Sequence, residues 1–107
     1  MDDQAAPVVV VLPQEIDVTN SEQVHQELLA VLTPGVNTVI ADMMSTVFCD
    51  SSGVHAIMRA YETAAARDVS MVLAVSSATS VRRVLELIGV GRLMAVYPSL
   101  QEALDAA

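Results

Sequence analysis

The sequence predicts an α/β fold in which about four strand–helix units form one mostly parallel sheet with helices packed on it. Short runs rich in Val, Ile and Leu alternate with segments whose apolar residues recur at helical spacing. Alternating units of this length give a parallel sheet with right-handed crossovers. The length of 107 residues corresponds to one ordinary domain. We therefore expect a single domain over residues 1–107, of which residues 1–6 form a frayed N-terminus.

Four apolar runs are typical of β-strands. Val8–Leu12 is a continuous run of mostly β-branched residues between Pro7 and Pro13, which predicts a strand buried on both faces. The other strands are expected at Asn37–Ala41, Val69–Val75 and Leu93–Tyr97. The Val8–Leu12 run is far too short for a membrane-spanning helix, which needs roughly 20 apolar residues.

Helical periodicity follows each of these runs. The first helix is expected to begin at Thr19 or Asn20, because each is followed three positions later by Glu or Gln, as in a capping box. The second begins near Ser51 or Ser52, and Ser99 caps the fourth. The apolar faces expected for the first three helices are, in order, Val24, Leu28, Val31 and Leu32; Val54, Ile57, Met58, Tyr61 and Ala65; and Val81, Val84, Leu85 and Ile88.

The charge and the cysteine content exclude several classes of protein. The net charge is −8, with thirteen carboxylates against five arginines and no lysine. This balance argues against nucleic acid and anionic membranes as partners and favours a partner with a basic face. The single cysteine, Cys49, fits a reducing compartment, and Asp2 and Asp3 stand where a secretory signal carries positive charge. We therefore expect a cytoplasmic protein that binds neither nucleic acid nor membrane.

The sequence offers no catalytic constellation. No Gly-x-Ser-x-Gly elbow surrounds Ser51 or Ser52, and no Gly-rich loop with Lys is present to bind nucleotide phosphates. His25 and His55 do not form a spaced ligand set with Cys49, so a metal site is not expected. His25 is expected on the polar side of the first helix and His55 on a solvated face of the second. The chain is accordingly not expected to be an enzyme, to bind a metal or to carry a cofactor.

The junction between the second strand and the second helix carries the most informative motif, Asp50-Ser51-Ser52-Gly53. In open α/β sheets, functional residues gather where strands end and helices begin. Asp17, which follows the first strand, belongs to another such junction. Asp, Ser and Gly are also favoured at helix N-termini, because side-chain oxygens accept hydrogen bonds from backbone N–H groups there. Capping explains much of the motif, but two serines and an aspartate exceed what one cap needs.

The chain resembles STAS domains, the sulphate-transporter and anti-sigma-antagonist family, and within them bacterial anti-sigma factor antagonists. The resemblance runs from about Val8 to the last helix. It is carried by Glu15-Ile16-Asp17, by Phe48-Cys49-Asp50-Ser51-Ser52-Gly53-Val54 and by the segment 81–90. The chain departs from the usual pattern at Gln14, where antagonists usually have Gly, and at His55, where they usually have a small residue.

The resemblance implies a switch protein. In the family, the unphosphorylated antagonist binds an anti-sigma factor, which then releases its sigma factor. The anti-sigma factor is also an ATP-dependent serine kinase that phosphorylates the serine directly after the aspartate, and a metal-dependent serine phosphatase reverses this. ATP and Mg²⁺ then belong to the partner kinase. The implied phosphorylation site is Ser51, and the implied partner-binding residues are Asp17, Asp50, Ser51, Ser52, Gly53 and His55.

A phosphate on Ser51 would act through its charge. It adds about −1.5 to −2 charges, which the N-terminus of a helix tolerates, whereas an unpaired charge buried in an interface costs roughly 2–5 kcal/mol. We therefore expect the phosphorylated domain to stay folded and to release its partner. Two alternatives remain open: a STAS adaptor subunit of a lipid-transport or stress-sensing assembly that never switches, and a small-ligand or nucleotide binder at the strand ends.

Overall fold

The structure is a computed structural model that describes residues 6–107. Its elements are, in chain order, β1 (Val8–Val11), β2 (Glu15–Ile16), α1 (Ser21–Ala30), β3 (Thr38–Met43), β4 (Phe48–Cys49), α2 (Ser51–Ala66), β5 (Ser70–Val75), α3 (Val81–Ile88), a 3₁₀ turn (Val90–Arg92), β6 (Val96–Tyr97) and α4 (Leu100–Ala106). The predicted α/β class, with helices on a mostly parallel sheet, is confirmed. The predicted frayed N-terminus lies outside the described residues except for Ala6, which is exposed.

The main sheet has four parallel strands in the order β1-β3-β5-β6. Its two central strands are paired along their whole length, from Thr38 opposite Ser70 to Met43 opposite Val75. Because all four strands run in the same direction, their carboxyl ends meet at one edge of the sheet. The loops that follow β3 and β5 therefore leave the main sheet at that edge.

Helices cover both faces of the main sheet. The larger core lies between one face and helices α1, α2 and α3. Its fully buried members include Val39, Met43, Leu73, Leu28 and Ile57. A smaller core lies on the opposite face, where α4 packs over β3, β5 and β6; its buried members are Ile40, Ala74 and Ala103. The strand period of two sends neighbouring residues to opposite faces, which is why β3 serves both cores.

A second parallel sheet of only two short strands was not predicted. Ile16 of β2 pairs with Cys49 of β4, and the backbone N–H of Val47 donates to the carbonyl of Gln14 at 2.8 Å. The N–H of Asp50 then donates to the carbonyl of Ile16 at 3.1 Å. This pairing holds the loops that precede α1 and α2 side by side.

Two strand predictions are wrong in detail. Val8–Leu12 is not buried on both faces, because β1 is an edge strand in the described chain and Val9 and Val11 are 36% and 64% exposed. The predicted strand Leu93–Tyr97 shortens to its last two residues. The N–H groups of Leu93 and Met94 instead donate to the carbonyl of Val90, at 2.9 and 3.1 Å, and continue the preceding turn.

Some helix predictions are also corrected. His25 does not lie on the polar side of α1: it is 6% exposed and faces α2, with its Nδ1 3.4 Å from Glu22 Oε2. In α2, Ala64 is buried and Ala65 is exposed, the reverse of the predicted apolar face. Ile88 of α3 is 44% exposed. No helix within residues 6–107 is long and apolar enough to cross a membrane.

Candidate functional site

The side chain of Asp50 caps the N-terminus of α2. Its Oδ1 accepts hydrogen bonds from the backbone N–H groups of Ser52 and Gly53, at 3.0 and 3.2 Å, and from the Ser52 hydroxyl. The hydroxyl of Ser52 is the main reason that the pKa of Asp50 lies below its usual range; burial opposes this effect, and the two backbone N–H groups add to it. Asp50 is therefore an ionised cap at neutral pH.

The two serines of the motif have different environments. Ser52 is half-buried and donates its hydroxyl hydrogen bond to Asp50, so it belongs to the cap. Ser51 is the first residue of α2 and is exposed. The Asp50 side chain accepts hydrogen bonds from Ser52 and not from Ser51. The structure thus accounts for Ser52 through helix capping and leaves the Ser51 hydroxyl facing solvent.

Gly53 lies in the first turn of α2, pressed against the small sheet. A Cβ atom at this position would stand 2.6 Å from Ile16 Cγ2 and 2.7 Å from Cys49 Sγ, closer than real Cβ atoms approach. The absence of a side chain therefore lets the start of α2 sit on β2 and β4. Gly53 is buried beneath the surface that Ser51 occupies, which it supports without forming part of it.

Asp17 directly follows β2 and organises the turn into α1. Its Oδ1 accepts hydrogen bonds from the N–H and the hydroxyl of Thr19, and its own N–H donates to Asn20 Oδ1 at 3.0 Å. The side chain of Asn20 also donates to the Glu15 carbonyl at 2.8 Å, so it does not form the predicted capping box. Because Ile16 pairs with the residue before Asp50, Asp17 and Asp50 follow adjacent strands at the same end of the small sheet.

A shallow, mostly apolar depression of about 520 Å³ lies between the start of α2 and the end of α3. It is lined by Ser51, Ser52, Val54, His55, Met58 and Ile88. His55 is exposed, as predicted. The depression thus brings three of the predicted site residues together with an apolar side chain from a second helix.

Exposed apolar side chains near this end of the molecule were not anticipated as site residues. Val18, beside Asp17, is 76% exposed, and Leu87, beside Ile88, is 75% exposed. Phe48, two residues before Asp50, is 49% exposed. Large apolar residues left in contact with water around a polar motif are typical of protein-binding surfaces. Val18 could have been identified from the sequence, because it is an apolar residue in an otherwise polar turn.

Cys49 is a packing residue. It is 3% exposed, and burial is the larger cause that raises the pKa of its thiol to about 11, with the nearby Asp50 carboxylate adding to the effect. The thiol donates a long hydrogen bond of 3.6 Å to the Asp50 carbonyl. Within residues 6–107, no three His, Cys, Asp or Glu side chains are grouped so as to hold a metal ion.

The family model of the STAS domain matches residues 2–103. The match covers nearly all of the sequence, and the chain belongs to the STAS domain family. No curated protein matches the chain.

Several solved structures share the fold. An anti-sigma factor antagonist from Mycobacterium paratuberculosis is 24% identical, with a TM-score of 0.84 over 98% of this chain and 88% of that one. The anti-sigma factor antagonist SpoIIAA, in its unphosphorylated form, is 29% identical, with a TM-score of 0.74 over 94% of this chain and 86% of that one. A sulfate transporter family protein from Wolinella succinogenes is 18% identical, with a TM-score of 0.70 over 96% of this chain and 85% of that one.

Proposed function

We propose that the protein is an anti-sigma factor antagonist of the partner-switching type. Its unphosphorylated form binds an anti-sigma factor that has serine kinase activity, and that kinase phosphorylates Ser51. The observation that carries the proposal is the difference between the two adjacent serines: Ser52 is bound to Asp50, whereas Ser51 is exposed beside an apolar depression.

The similarity to SpoIIAA supports the same function. That protein is an anti-sigma factor antagonist whose structure is known in an unphosphorylated and in a phosphorylated form. In the proposed cycle the protein is the substrate and does no chemistry itself. ATP and Mg²⁺ are bound by the kinase, and a metal-dependent serine phosphatase removes the phosphate in the cytoplasm.

The proposed docking surface combines apolar contact with a charge-sensitive centre. Met58 and Ile88 offer apolar area to the partner, and Ser51 lies within the same depression. A phosphate there adds about −1.5 to −2 charges to an interface that the partner would desolvate. An unpaired charge in such a place costs roughly 2–5 kcal/mol, which is a loss of about thirty- to several-thousand-fold in affinity.

Calorimetric titration with the candidate anti-sigma kinase from the same genome tests this function. Ser51→Asp should fold normally and lose most of its affinity, while Ser51→Ala, which adds no charge, should keep it. Ser70→Asp is the matched control, because Ser70 is also exposed but begins β5 at the opposite end of the strands. Equal binding by Ser51→Asp and Ser70→Asp would contradict the proposal and favour a STAS adaptor that does not switch.

A further inference from the structure

Ser51 and His55 lie one helical turn apart on α2, and both are exposed. Both line the depression between α2 and α3. Side chains four residues apart on a helix have Cβ atoms about 5–6 Å from each other, so an imidazole can reach a phosphate carried by the serine.

The other groups near Ser51 are poor partners for a phosphate. The backbone N–H groups of Ser52 and Gly53, which could otherwise bind an anion at the helix start, already donate to Asp50. Asp50 is itself negatively charged there and repels a phosphate. The α2 N-terminus is therefore a weaker anion site than a helix start without a carboxylate cap.

Among the described residues, no second cation-forming side chain lines the depression. The remaining lining of the depression is Ser52, Val54 and Met58 from α2 and Ile88 from α3, none of which is charged. Arg59 stands one turn beyond His55 and points to α1, where its Nη1 lies 3.3 Å from Glu22 Oε1. His55 is thus the one cation-forming side chain that shares the depression with Ser51.

We infer that His55 binds the phosphate on Ser51 and favours its doubly charged form. The inference rests on the proposed phosphorylation of Ser51. The imidazolium donates a hydrogen bond to a phosphate oxygen; a neutral ring does so more weakly. The second ionisation of a phosphoserine lies near pH 6, so the doubly charged form that His55 binds is present at neutral pH. His55 thereby holds the phosphate on this protein's own helix, a role that a small residue at position 55 cannot fill.

The test uses the full chain with phosphoserine inserted at position 51 during translation, which makes it independent of any kinase. ³¹P NMR then follows the second ionisation of that phosphate against pH in the parent and in His55→Gln. Because a nearby positive charge favours the dianion, the midpoint should lie about 0.2–0.4 pH units lower with His55 than with Gln, the size typical of exposed charge pairs one turn apart. His55→Arg, which is always charged, should restore or deepen the lowering. Arg59→Gln removes the next positive charge on α2 and should leave the midpoint close to that of the parent.

Coincident titration curves for the parent and His55→Gln would overturn the inference, as would a change in Arg59→Gln as large as in His55→Gln. His55 is exposed, so its variants are expected to fold, and far-ultraviolet circular dichroism checks this directly. Failure of a kinase to phosphorylate Ser51 would contradict the proposed function alone, since the phosphate in this titration does not come from the kinase.

Discussion

Gly53, in the first turn of α2, lies directly against Ile16 of β2: a Cβ atom on Gly53 would stand 2.6 Å from Ile16 Cγ2. This contact joins the helix that begins with Ser51 to the two-stranded sheet that positions Asp17 and Asp50. The exposed serine is therefore held on a packed support, with its cap on one side and buried side chains beneath it.

Gly53→Ala should destabilise the fold although alanine is the better helix former. The added methyl group must displace Ile16 and Cys49, and overpacking of this kind costs about 1–3 kcal/mol. The midpoint of urea unfolding should fall accordingly. Gly91→Ala is the matched control, since a Cβ there meets nothing within 4 Å and should change the midpoint little. A Gly53→Ala protein as stable as the parent would show that the contact is not tight.

Asp50→Asn should lower the stability of the fold at neutral pH. In acid, the variant and the parent should be about equally stable. The pKa of Asp50 is lowered in the folded protein, so its ionised form stabilises the fold above the unfolded value, near 4. That contribution disappears as the pH falls through the folded pKa. The melting temperatures of the parent and Asp50→Asn should therefore differ at pH 7 and converge below about pH 4.

Asp105→Asn is the control for that comparison, because it removes the same charge from an exposed position at the end of α4. Its melting temperature at neutral pH should stay close to that of the parent, unlike that of Asp50→Asn. The difference in melting temperature between the parent and Asp50→Asn could also stay constant down to acid pH. That result would mean that the ionised cap is not the cause of the difference.

Cys49 should react slowly with thiol reagents in the folded protein. Burial, with a smaller effect from Asp50, raises the pKa of the thiol to about 11, so little thiolate exists at pH 8 and reagents cannot reach it. A disulfide-exchange reagent followed by absorbance should modify the urea-unfolded chain at once and the native chain only over much longer times. Rapid, complete modification of the native chain would contradict the packed position of Cys49.

The fold follows from the sequence wherever the apolar pattern is long. The runs that became β3 and β5, and the helical stripe of α2, give the parallel architecture directly. The two-residue strands β2 and β4 could not be found this way, because two residues carry no periodicity. The exposure of Val9 and Val11 depends on which strand lies at the edge of the sheet. His25 is buried because α2 packs against α1. Both features depend on tertiary contacts, which a local sequence pattern does not show.

The sequence predicted the motif Asp50–Gly53, but it did not predict the contacts that hold the motif in place. Asp50 as a helix cap follows from residue preference. Which serine completes the cap, however, depends on where the Asp50 oxygens point, and that choice separates Ser52 from Ser51. The need for Gly53 comes from side chains distant in sequence. Ile88 lines the depression only because α3 packs beside α2, which the sequence pattern does not show.

Phosphate mapping by mass spectrometry tests whether Ser51 is the residue that the kinase modifies. The parent, Ser51→Ala and Ser52→Ala proteins are incubated with the candidate anti-sigma kinase, ATP and Mg²⁺, and their peptides are sequenced. Ser52→Ala should stay folded, because Asp50 still accepts from two backbone N–H groups. One phosphate, on Ser51, is expected in the parent and in Ser52→Ala, and none in Ser51→Ala. Phosphorylation of Ser51→Ala at the rate of the parent would contradict the assignment of the site to Ser51.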